Sequence, residues 1–125
     1  MQKTILIGLA GLAGTLLRYW LSEFVARPYG GTLPWGTLVV NVIGCFAAGV
    51  VFFLTEERLL VSEAVRMMVL IGLLGGFTTF SAYGLQTFAL LRDGEVGLAI
   101  LNVATSNVLG LFMVWIGYAL ARSLH

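Results

Sequence analysis

The third apolar stretch of this chain interrupts its own pattern at Gly72-Leu-Leu-Gly75-Gly76-Phe77-Thr78-Thr79-Phe80-Ser81. Paired glycines followed by two threonines and a serine do not suit a continuous helix in lipid. Each backbone group left unpaired in the hydrocarbon core costs several kcal/mol unless a neighbour satisfies it. An interruption is therefore tolerated only where protein or an ion takes up the freed carbonyls, and in membrane proteins such places often mark an ion or substrate site.

Composition supplies the lipid setting. Hydrophobic residues make up 59% of the 125, charged residues only 10%, and the mean hydropathy is +0.98. Soluble domains lie far from that balance. A formal net charge of +1 leaves no basic surface, so nucleic acid is excluded as a partner. Cys45 is the single cysteine and reads as a small packing residue, with no intrachain disulfide open to it. The apolar run after Lys3 is too long for a signal peptide and reads as a first membrane helix.

Four apolar stretches, at about 4–25, 35–54, 64–91 and 96–121, each approach the roughly 20 residues needed to cross a bilayer. They predict one all-α domain of four transmembrane helices, the third broken mid-membrane. Pro28, Gly30, Gly31 and Pro34 punctuate the first loop. The polar Thr55-Glu-Glu-Arg58 follows the second helix, and Arg92-Asp-Gly-Glu95 forms the last turn.

An even number of spans puts both termini on one side. Lys3, Arg58, Arg66 and Arg122 fall there, against Arg27 and Arg92 opposite, with Arg18 nearer the opposite end. Orientation follows a clear Lys/Arg excess, and this excess is weak. Insertion in both directions, and with it an antiparallel homodimer, is open to such a chain. A thin bundle also has little room for a wet path, so transport would need a second copy. Ala10-x-x-x-Gly14, Gly44-x-x-x-Ala48 and Gly72-x-x-x-Gly76 read as close-packing surfaces for it.

Polar residues inside the spans carry the remaining information. Arg18 either snorkels towards Ser22 and Glu23 or forms a cationic vestibule that draws in anions. Thr37 and Asn41 share a stripe, and Asn41 is either interhelical glue or an amide donor for a passing anion. Asn102, Ser106 and Gly110 line one face of the fourth helix, with Asn107 beside them. Phe80 and Tyr83 are three apart, as core packing or as electropositive ring edges facing an anion. Gln86 continues that side. The carboxylates Glu56, Glu57, Glu63, Asp93 and Glu95 sit in loops or at helix ends, and the one histidine is His125. No protected acid–base pair, nucleophile or phosphate loop is visible, so no enzyme is expected.

Gly36-Thr-Leu-Val-Val-Asn41 followed by Gly75-Gly-Phe-Thr-Thr-Phe-Ser81 resembles the small bacterial fluoride channels of the Fluc/CrcB family. The resemblance covers essentially the whole chain, including Leu17-Arg18-Tyr19 at the end of a Gly-rich first helix. It implies a dual-topology channel in the bacterial cytoplasmic (inner) membrane, in which two antiparallel copies form two fluoride pathways. It further implies a structural sodium ion at the dimer interface, held by main-chain carbonyls that correspond to Gly75 and Thr78. The pore aromatics correspond to Phe80 and Tyr83, the pore asparagine to Asn41 and the vestibule arginine to Arg18, with Thr37, Ser81 and Asn107 as polar lining. Three positions depart from the family's usual residues: Tyr83 where phenylalanine is common, Gln86 where an acid is common, and Leu111 where serine is common.

Passive fluoride export is the resulting expectation. A small proton-coupled drug exporter would need a carboxylate deep in a span, and none is present. A non-transporting scaffold would account for glycine packing but not for a costly interruption of the third span.

Overall fold

The computed structural model describes residues 1–125. All its regular elements are helical: α1 (Gln2–Ala26), α2 (Trp35–Phe52), α3 (Glu63–Met67), α4 (Gly75–Phe77), α5 (Phe80–Arg92) and α6 (Val96–Ser123). A π-helical segment, Phe53–Glu57, prolongs α2, and another, Met68–Leu74, joins α3 to α4. Four stretches are long and apolar enough to cross a membrane: Gln2–Ala26, Trp35–Glu57, Glu63–Arg92 and Val96–Ser123. Even the 23-residue stretch reaches about 35 Å at 1.5 Å per residue, more than the roughly 30 Å of hydrocarbon. The chain is a multi-pass membrane protein.

The second helix runs further than its sequence suggests. Thr55-Glu-Glu lies inside the π segment rather than beyond the helix end. The Thr55 hydroxyl donates to the Val51 carbonyl at 2.8 Å. That local bond satisfies its polar group and lets the residue be buried. The third span then starts on Ser62, whose hydroxyl accepts from the Val65 amide.

Glycines set the closest helix approaches. On the α2–α6 seam a side chain at Gly49 would collide with the Val114 carbonyl, and one at Gly117 with the Phe46 carbonyl. Gly14 of α1 lies beneath the Leu73 carbonyl, Gly72 over Ile7 and Ala10, and Gly76 over Gly11. Ala10-x-x-x-Gly14 and Gly72-x-x-x-Gly76 therefore pack on each other within one chain. This corrects their assignment to contact with a second copy: small residues let backbones approach wherever a partner helix is nearest, and here the partner is internal. Gly44 faces Thr78 of the same chain.

At the membrane edge Glu56 pairs with Arg66, linking the end of the second span to the start of the third. Both side chains keep more than a third of their surface exposed. Glu56→Gln is accordingly expected to cost no more than about 1 kcal/mol in detergent-solubilised thermal unfolding.

Candidate functional site at the third span

Helical geometry stops after Phe77. Thr78 is extended (φ −84°, ψ 157°), Thr79 is extended (φ −150°, ψ 115°), and α5 begins at Phe80. Thr79 serves as the cap of α5, its hydroxyl accepting from the Ala82 amide at 3.2 Å.

Asn41 of α2 closes this gap with both ends of its amide. Its Nδ2 donates to the Thr79 carbonyl at 3.0 Å, and the Thr79 amide donates to its Oδ1 at 2.8 Å. Interhelical bonding is thus the role the side chain performs, while one of its two amide hydrogens stays uncommitted.

These bonds release two carbonyls. In an unbroken helix the Thr79 amide would bond the Gly75 carbonyl, and the Ala82 amide would bond the Thr78 carbonyl. Here the first is given to Asn41 and the second to the Thr79 hydroxyl. The Thr78 hydroxyl turns back to the Leu74 carbonyl at 2.8 Å, so it does not compensate. Gly75 is exposed on the surface of the chain. A cavity of about 390 Å³ opens at the interruption, lined by Asn41, Gly44, Leu74, Gly75, Thr78 and Phe80 among others. Main-chain oxygens with no helical partner suit a hard cation. The chain offers no cluster of His, Cys, Asp or Glu for one.

Beyond the interruption α5 presents an aromatic pair. The rings of Phe80 and Tyr83 lie 5.4 Å apart and are tilted by 50°. Phe80 is 83% exposed on the single chain. Ser81 is also exposed and lies 3.4 Å from the Thr79 hydroxyl. Asn107 of α6 reaches across to the Tyr83 hydroxyl at 3.2 Å. Behind it, buried Asn102 donates to the Thr87 hydroxyl at 2.9 Å, which donates in turn to the Tyr83 carbonyl.

Thr37 lies elsewhere, in a second cavity of about 390 Å³ under the first loop, with Ser22, Glu23 and Gln86. The Gln86 Oε1 is buried there without a partner. Arg18 is half-buried and lines neither cavity, and the chain's salt bridges are Glu56–Arg66 and Arg92–Asp93. The structure therefore groups Asn41, Gly75, Thr78 and Phe80 at one cavity, couples Tyr83 to Asn107 beside it, and sets Thr37 and Arg18 apart. Thr79 is the member that sequence reasoning passed over. Its signal was a threonine three residues ahead of Ala82 at the start of a new helix.

Residues 5–118 match the family model described as CrcB-like protein, Camphor Resistance (CrcB). The chain belongs to the CrcB family. Among its relatives, a protein of Opitutus terrae is 50% identical across all of this chain and 96% of its own length. One from Nitrosococcus oceani is 45% identical over 97% of each chain. One from Thermus thermophilus is 44% identical over 99% of this chain and 98% of its own. Each of the three is named fluoride-specific ion channel FluC. The CrcB match spans the whole site, from α1 through the interruption to most of α6.

Proposed function

We propose that this protein is a fluoride-selective channel that passively exports fluoride across the bacterial cytoplasmic membrane, and that it is not an enzyme. Membership in a family whose members carry the fluoride-channel name supports the ion. The observation that carries the mechanism is the Asn41–Thr79 clamp, with the Gly75 and Thr78 carbonyls freed beside it.

Two copies inserted in opposite directions form the working unit. Phe80, Ser81 and Asn107 lie exposed on the single chain within apolar, membrane-length segments. Polar side chains are costly against lipid tails, and a second copy with an enclosed path removes that cost. The Gly75 and Thr78 carbonyls of both copies are the oxygens that would hold a structural sodium ion, which supplies positive charge at the interface. Fluoride keeps its water tightly. The free Asn41 amide hydrogen and the edges of Phe80 and Tyr83 take over part of that hydration, with Ser81 as further polar lining and Asn107 behind Tyr83. Thr37 belongs to the loop-side mouth, and Arg18 concentrates anions near it.

Purified protein in liposomes, read with ion-selective electrodes, tests the proposal. Fluoride is expected to leave while chloride stays. Comparable efflux of both ions, or of neither, rejects it.

A further inference from the structure

The Asn107 side-chain nitrogen lies 2.8 Å from the Val103 carbonyl and 3.2 Å from the Tyr83 hydroxyl. A carbonyl oxygen only accepts, so the group facing Val103 is the NH2, which fixes the orientation of the amide. One of its hydrogens goes to Val103 and the other to the phenol oxygen. Both amide hydrogens are thereby used, and the phenol, acting as acceptor towards Asn107, keeps its own hydrogen to donate elsewhere. The remainder of Tyr83 is held as well. Its carbonyl accepts from the Thr87 hydroxyl at 2.8 Å, and Thr87 is tied to buried Asn102. Its ring leans on Phe80.

Resting on the fluoride-channel reading above, we infer that Asn107 is a positioning residue for Tyr83: it holds the phenol so that its O–H donates to the passing fluoride. Tyr83 then contributes a hydrogen-bond donor in addition to a ring edge, and Asn107 acts through it rather than on the anion, since its own hydrogens are spent. A hydrogen bond to a charged acceptor is among the stronger ones, so removing it has a measurable effect on ion binding.

The test is a double-mutant cycle in liposomes with Tyr83→Phe, Asn107→Leu and the pair together, measuring fluoride efflux across a range of fluoride concentrations. Each single variant is expected to raise the fluoride concentration for half-maximal efflux by about tenfold. Asn107→Leu is expected to add nothing in the Tyr83→Phe background. A purely structural role would reduce the number of active liposomes and leave that concentration unchanged. The inference is overturned if the two effects multiply, or if Tyr83→Phe leaves the concentration where it was, while the unmodified protein still passes fluoride. Unmodified protein that passes no fluoride takes down the channel reading and this inference with it.

Discussion

Replacing Asn41 by leucine is expected to lower fluoride efflux by about thirtyfold or more and to reduce thermal stability in detergent. Leucine has similar bulk but offers no hydrogen bond. The Thr79 amide and carbonyl would both lose the partner they have now. A buried backbone group without a partner costs about 1–3 kcal/mol, and for these two part-buried groups the low end gives about 2 kcal/mol together. That corresponds to about a thirtyfold fall in the equilibrium constant for the competent backbone arrangement. Asn41→Asp separates the contributions. It keeps an acceptor for the Thr79 amide, but sets a carboxylate oxygen against the Thr79 carbonyl and a negative charge beside an anion route. Aspartate is therefore expected not to rescue transport. Efflux from Asn41→Leu liposomes within threefold of the unmodified protein would remove the clamp from the mechanism.

The second large effect concerns the glycine seams. Gly14→Ala and Gly49→Ala each place a methyl group against a backbone carbonyl of the facing helix, that of Leu73 and that of Val114. Backbone cannot swing aside as a flexible side chain can, so the helices must separate. Overpacking of this kind costs about 1–3 kcal/mol, and more where both faces are rigid. Gly8→Ala is the matched control, because nothing lies within 4 Å of a side chain there. It is expected to be neutral or slightly stabilising, as alanine is the better helix former by up to about 1 kcal/mol. Melting followed by circular dichroism should rank Gly8→Ala above both seam variants. Equal melting temperatures for all three would mean that the seams are not close-packed.

The four spans were legible because bilayer thickness converts directly into a count of apolar residues. That Asn41 and Phe80 belong to short motifs was plain in the sequence, and the structure sets both at the cavity by the interruption. Other features depend on which helix lies opposite, and local sequence does not state that. The small-residue pairs in α1 and the third span announced close packing but not that they would meet each other. Nothing in the sequence around Asn102 and Asn107 names their partners, Thr87 and Tyr83, which lie on the facing helix. The π segments at Phe53–Glu57 and Met68–Leu74 were invisible because a one-residue slip in backbone bonding has no composition of its own. Thr55 illustrates the point: its hydroxyl suggested an exit to water, and it instead bonds back into the helix.

The exposed outer face of α5, with Phe80, Leu85 and Phe88 uncovered, has a consequence for the cell that makes this protein. A solitary copy diluted in the membrane would carry Phe80 against lipid. On the two-copy channel proposed above, permeability would rise with the square of expression at low abundance, because each conducting unit would need an encounter between two molecules. On the same reading, trace synthesis would be electrically silent, and a leak would begin only once enough chains accumulate to meet.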